Sequence, residues 1–245
     1  MLKNDLTIFA LSDTHAKHRD VNLGSIDLAD VVVFAGDLMT GGWKQTEVQD
    51  FGEWFSQLPV KHKIVVAGNH DRLFETNPKW CMSMFDSDVH YLNDSGVEIE
   101  GVKFWGSPVQ PWFHAWAFNK PRGAAIREHW DKIPPDTDVL ITHGPPFGIR
   151  DQIVPGNHKP MVSNIVILPT EHLGCEELRI AVERIRPQVN IFGHIHGAYG
   201  YDYTSVPGVA FHNVAICDES YKAVNRPSLL TVRKRINEPN DEGNI

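Results

Sequence analysis

The run Gly68-Asn69-His70-Asp71 sets an amide oxygen, an imidazole and a carboxylate on successive positions, directly behind the apolar run Ile64-Val65-Val66-Ala67. Asn offers a neutral oxygen to a metal ion, His carries a proton, and Asp orients a neighbouring imidazole. The same arrangement recurs elsewhere. Asp13 and His15 follow Leu6 to Leu11, Asp37 follows Val31 to Ala35, His143 follows Val139 to Ile141, and His194 and His196 follow Val189 to Phe192. Taken singly, each of these is an ordinary turn, N-cap or strand-end residue. Five apolar runs ending alike argue against coincidence.

The ligand types narrow the chemistry. Asp13, Asp37 and Asn69 supply oxygens; His15, His143, His194 and His196 supply nitrogens; no thiolate takes part. That mixture suits Mn²⁺, Fe²⁺, Co²⁺ or Zn²⁺ over Ca²⁺, with Mn²⁺ the first choice, and argues against a structural cysteine–zinc site. Seven ligands exceed what one open catalytic ion needs and match two ions sharing a carboxylate.

The elements that must position these ligands read as buried strands, because the runs are short, apolar and rich in β-branched residues. Loops at the carboxyl ends of neighbouring strands converge on one crevice. Val48, Phe51, Trp54, Phe55 and Leu58 recur at helical spacing up to Pro59, and further helices are expected over 124–130 and 171–186. Short strands are expected around an Asn93-Asp94-Ser95-Gly96 turn, at Val102–Trp105, near Val209–Ile216 and at Leu229–Val232. This order implies an α/β fold of sheets covered by helices, and not a purely doubly wound one. A Pro/Gly-punctuated loop spans about 145–170. It contains Gly156-Asn157-His158, which repeats the letters of Gly68-Asn69-His70 without a strand before them and reads as a loop turn.

At 245 residues the chain fits one domain, taken as 1–235 with a frayed tail over 236–245. A net charge of −8 does not suit the phosphate backbone of long nucleic acid. No apolar run approaches the ~20 residues that cross a bilayer, and the opening residues lack the features of a secretory signal. Cys81, Cys175 and Cys217 show no paired spacing and read as reduced, buried thiols of a cytoplasmic protein. Trp105 and the stretch from Trp112 to Phe118 read mostly as core, with Trp112, Phe113 and His114 as candidates for substrate contact. His18, His62, His90, His129, His172 and His212 read as surface or packing residues.

The blocks Asp13-Thr14-His15, Gly36-Asp37, Gly68-Asn69-His70-Asp71, Thr142-His143-Gly144 and Gly193-His194-Ile195-His196 resemble, in order, those of the calcineurin-like metallophosphoesterases. Gly144 to Gly148, His172 to Cys175 and Phe192 to Gly200 are similar to the metallophosphoesterase-domain-containing branch. The resemblance implies a four-layer α/β/β/α sandwich with two central mixed sheets. It implies two metal ions: Asp13, His15 and His196 on the first, Asn69, His143 and His194 on the second, and Asp37 bridging. His70 would be the proton donor, oriented by Asp71, and the nucleophile a hydroxide formed between the ions. The implied activity is hydrolysis of small, cyclic-nucleotide-like phosphodiesters. A phosphomonoesterase or protein phosphatase shares every motif, and a non-catalytic scaffold is the rival of another class. A nuclease would want a basic groove, which the sequence does not show.

Overall fold

Apolar residues two apart fall on one side of each strand, and this alternation builds the layers. The computed structural model describes residues 4–153 and 171–235. The segment containing Gly156-Asn157-His158 and the tail from 236 lie outside the described residues.

The chain begins with strand β1 (Asp5–Leu11), β2 (Val31–Ala35), helix α1 (Gln45–Ser56) and β3 (His62–Val66), followed by the short helices α2 (Arg72–Thr76) and α3 (Pro78–Met82). Next come β4 (Val89–Tyr91), β5 (Ser95–Ile99), β6 (Val102–Ser107), the two-residue strands β7 (Gln110–Pro111) and β8 (Asn119–Lys120), and α4 (Ala124–Trp130). The rest comprises β9 (Val139–Thr142), β10 (Gln152–Ile153), β11 (Glu171–His172), α5 (Glu176–Ile185) and β12 (Val189–Phe192). It closes with β13 (Gly200–Asp202), β14 (Ala210–Asn213) and β15 (Ser228–Arg233).

Two mixed sheets form. The first has the order β15-β1-β2-β3-β4 and the second β13-β14-β12-β9-β6-β5. The ligand-bearing strands β1, β2 and β3 run parallel, as do β6, β9, β12 and β14, so their carboxyl ends share an edge. Leu6, Ile8, Ala10, Val33 and Ile64 from the first sheet meet Phe104, Val139, Ile141 and Ile191 from the second in one apolar layer. On the outer face of the first sheet, Phe9, Leu11, Val32 and Phe34 pack against Val48, Phe51 and Phe55 of α1. On that of the second, Leu140, Phe192 and Phe211 pack against Ile126 and Trp130 of α4 and Leu178 and Val182 of α5. The result is the four-layer α/β/β/α sandwich, and strands buried on both faces need the continuous apolar runs the sequence carries.

Three expectations change in detail. β4 pairs with β3 and β5 with β6, so the chain at Asn93-Asp94 crosses from one sheet to the other and closes no hairpin. Ser107 Oγ and Lys132 Nζ both donate to the Asp94 carboxylate, which anchors the crossing. The second long helix starts at Glu176 and not at Glu171, because Glu171 and His172 pair antiparallel with Gln152 and Ile153. Cys175 caps that helix, its Sγ accepting from the Leu178 N–H at 3.4 Å. Finally, Trp112, Phe113, His114 and Ala115 are exposed; only Ala117 and Phe118 of the aromatic stretch join the core.

Candidate metal centre

Strand ends hand over to loops at the same edge of both sheets, and the loops bend sharply. Asp13, His15, Asp37 and His194 all have left-handed backbones, with φ of 51°, 42°, 61° and 68°. Non-glycine residues adopt that conformation at a cost, and it concentrates where function needs it. Backbone bonds brace the bends: Asp13 N–H donates to Gly36 O at 2.8 Å and His15 N–H to Asp37 O at 3.1 Å. The His194 N–H donates to the Asp13 carboxylate at 3.0 Å, tying the two sheets together.

The glycines before the ligands are required by the closeness of the loops. A β-carbon at Gly193 would lie 1.9 Å from Asp13 Oδ2, and one at Gly68 would lie 2.3 Å from Asp37 Oδ1.

The side chains converge. Asp13, His15 and His196 place ligand atoms within 4.8 Å of one another, as do Asp37, His143 and His194, and also His15, Asp37 and His70. Asn69 Oδ1 sits 2.8 Å from both His143 Nε2 and His194 Nδ1. Asp37 Oδ2 is 3.4 Å from His143 Nε2 and 3.8 Å from His15 Nε2, so its carboxylate lies between the two groups.

Backbone carbonyls choose the tautomers. The Nδ1 of His15, His143 and His196 each stands 3.0 Å from a carbonyl, of Met39, Ala35 and Asp218. A carbonyl only accepts, so each Nδ1 donates and each Nε2 is aimed into the site. His194 instead turns Nδ1 inward.

Burial works against a charge on His143 and His196, but Asp37 beside the first and Asp13 beside the second outweigh it and push both up to about 9. Burial raises the Asp13 and Asp37 carboxyls, yet the same imidazoles hold both below the usual carboxylate range. Burial, followed by repulsion from His143, brings His194 down to about 4. Two buried carboxylates held ionised in this way gather positive charge. His15 Nε2 and His196 Nε2 lie 3.2 Å apart with both Nδ1 atoms committed, a contact that a cation between them satisfies.

The family model for calcineurin-like phosphoesterases matches residues 6–198, a span that includes every one of these candidate ligands. The chain belongs to the calcineurin-like phosphoesterases. This family consists of metal-dependent phosphoester hydrolases, and the Asp/Asn/His donor set fits divalent ions. The calcineurin-like phosphoesterase is 34% identical to human metallophosphoesterase domain-containing protein 1, over 90% of this chain and 69% of that protein. It is 33% identical to UPF0046 protein K07C11.7 of Caenorhabditis elegans, over 94% of this chain and 76% of the relative. In structure it resembles TT1561 of Thermus thermophilus, with a TM-score of 0.57 at 15% identity, covering 94% of this chain and 99% of the other; this likeness concerns the fold.

Around the candidate ligands, the calcineurin-like phosphoesterase has a cleft of about 290 Å³. Phe113, Ile153, Leu173, Ile195, Glu219 and Tyr221 line it together with Asp37, Asn69, His70, His194 and His196. No Lys or Arg lines this cleft among the described residues.

Two expectations need correction. Asp71 does not orient His70. Its buried carboxylate faces away and accepts from the backbone N–H groups of Gly68 at 2.7 Å, Asp37 at 2.9 Å and Met39 at 3.0 Å. The His70 Nδ1 is paired with Thr40 O. Of the three substrate candidates, Phe113 borders the cleft, whereas Trp112 and His114 do not. Trp112 is 63% exposed, because the loop from Pro111 to Trp116 runs outside the core.

Tyr221, Glu219 and Trp116 were not singled out by sequence. Tyr221 sets its ring edge-on to His15 at 4.8 Å, and nothing local to its sequence marks it. Trp116 had a signal, its aromatic neighbourhood, but not a direction.

Proposed function

We propose that the protein is a dinuclear phosphodiesterase for small diesters of the cyclic-nucleotide class. The observation that carries the dinuclear reading is the position of Asp37, whose carboxylate approaches His15 on one side and His143 on the other. In this reading Asp13, His15 and His196 would hold one ion and Asn69, His143 and His194 the other, with Asp37 shared between the two sets. When bound, such ions, Mn²⁺ first among them, supply a nucleophile at neutral pH and charge for the phosphoryl oxygens.

The protein's own groups do the rest. The His70 N–H donates to Asp37 Oδ1 at 2.7 Å, which fixes the proton donor to the bridging carboxylate by its backbone. With Nδ1 donating to Thr40 O, Nε2 of the imidazolium is the atom left to hand a proton to the departing alkoxide. Phe113 and Tyr221 offer flat faces to a base or aryl group.

The lining supports a diester over a monoester. A monoester phosphate carries a charge of about −1.5 to −2 at neutral pH, a diester only one. Among the described residues the cleft adds no Lys or Arg to the ions and places Glu219 on its wall, an arrangement that repels the dianion.

The test is turnover of bis(p-nitrophenyl) phosphate, p-nitrophenyl phosphate and 2′,3′- and 3′,5′-cyclic nucleotides by Mn²⁺-loaded protein. Diester and cyclic-nucleotide turnover should exceed that of the monoester. Faster monoester turnover would overturn the diesterase reading, and no hydrolysis of any of them would leave a scaffold.

A further inference from the structure

The ring of His70 lies on the ring of Trp116, with centroids 4.1 Å apart and planes inclined by 28°. Trp116 also meets the Arg72 guanidinium, its carbon 5.1 Å from that ring centroid and 5.6 Å from the ring of Trp43. Pairwise contacts thus link exposed Trp43 through Arg72 and Trp116 to His70 in the metal cleft. We infer that Trp116 is a positioning residue for His70, held in place by Arg72. This inference rests on His70 being the proton donor.

The loop on either side of Trp116 is tied to the segment that carries His70. Arg72 Nη2 donates to Ala115 O, and Ala117 N–H donates to Asn69 O at 3.1 Å. One residue further on, Phe118 N–H donates to Glu75 Oε1 at 2.8 Å. Trp116 is therefore fixed relative to residues 69–75 from both sides, although its loop is otherwise exposed.

The imidazole needs such support. Among the described residues its one side-chain hydrogen bond is to Thr40 O, which leaves the ring free to swing about that contact. On the other side it meets His15 edge-on at 4.7 Å. An indole face and an imidazole edge then define the plane in which Nε2 points. Misplacing a catalytic group by about 1 Å costs up to ~100-fold in rate, so the stack acts on turnover through the aim of the His70 ring, and Trp116 itself supplies no metal ligand. Arg72 adds a cation–π contact to Trp116, which favours a guanidinium over an aliphatic chain there.

A leaving-group comparison separates this role from a structural one. A p-nitrophenolate departs with little protonation, whereas a phenolate, with a pKa of about 10 as in tyrosine, relies on a proton donor. Metal-loaded wild type, His70→Ala, Trp116→Ala and Trp116→Phe are assayed on two diesters that differ only in that group. Trp116→Ala should lower kcat for the phenyl ester about tenfold and for the p-nitrophenyl ester less than about twofold, with KM and metal content unchanged. Trp116→Phe should recover most of the loss. Equal losses on both esters, lost metal, or no loss would overturn the positioning role. If His70→Ala itself affects both esters alike, the proton-donor reading falls, and this inference with it.

Discussion

The Asp37 backbone N–H donates to the carboxylate of Asp71 at 2.9 Å, so one buried carboxylate holds in place the loop that presents the other. Burial, reinforced by the charge on Asp37, pushes Asp71 up to about 7, while the neighbouring imidazoles hold Asp37 low. Two acids 34 positions apart in sequence thus take opposite characters within one loop cluster.

The first prediction concerns this anchor. Asp71→Ala leaves the N–H groups of Gly68, Asp37 and Met39 without an acceptor. Buried donors without partners cost about 1–3 kcal/mol each before relaxation, so an overall loss of about 2–4 kcal/mol is expected in urea unfolding. Metal affinity should fall with it. A variant of unchanged stability and metal content would show that the carboxylate holds nothing.

Gly193 supplies a second. Its backbone is open to any residue, so the obstacle to Gly193→Ala is the 1.9 Å approach of the new β-carbon to Asp13 Oδ2. The clash should push Asp13 off its position and empty the group formed with His15 and His196, while the Asn69, His143 and His194 side keeps its ion. Metal analysis should give about half the wild-type content. Full content with wild-type turnover would contradict the assignment.

The exposed aromatic loop yields a third. Phe113 borders the cleft and Trp112 does not, although they are adjacent. Phe113→Ala should raise KM for an aryl or nucleotide diester by about five- to tenfold, at the lower end of the ~1–3 kcal/mol per base of aromatic stacking. Trp112→Ala should leave KM and kcat unchanged. The reverse ranking would place the substrate on the other side of the loop.

The fourth is a pH effect away from the metal ligands. Burial holds His212 down at about 4, below its ordinary 6.5. Between those values the unfolded chain takes up a proton that the folded chain refuses, so this histidine subtracts stability as pH falls. At pH 5 the subtraction is about 2 kcal/mol, and His212→Phe should remove it. Unfolding free energies of wild type and variant, compared at pH 7.5 and pH 5, should therefore diverge at the lower pH. Parallel curves would show that His212 titrates alike in both states.

Much of this architecture can be read from residue order because side chains alternate along a strand and these strands are buried on both faces, which calls for short continuous apolar runs. Leu6, Ile8 and Ala10, or Val31, Val33 and Ala35, announce the layer between the sheets directly. The clustered Asp, Asn and His side chains are legible for a related reason: each follows a run that must be buried, and the ends of parallel strands share one edge. The helix expected over 124–130 forms with those bounds, whereas the one expected from Glu171 loses its first turn to a pairing with Gln152 and Ile153 that periodicity does not register.

What the linear order determined on its own is therefore sheets covered by helices and the set of side chains gathered at the carboxyl ends of their strands, the four-layer sandwich being what the family resemblance added. What only the tertiary structure decided is where side chains beyond the strand ends point. Asp71 turns to the Asp37 loop and not to His70, Trp116 stacks on His70 from an exposed loop, and Tyr221 arrives from after the last block. Strand geometry propagates along the chain from residue to residue. A loop side chain takes its direction from whichever distant segment packs against it, and that partner is not written in its neighbours.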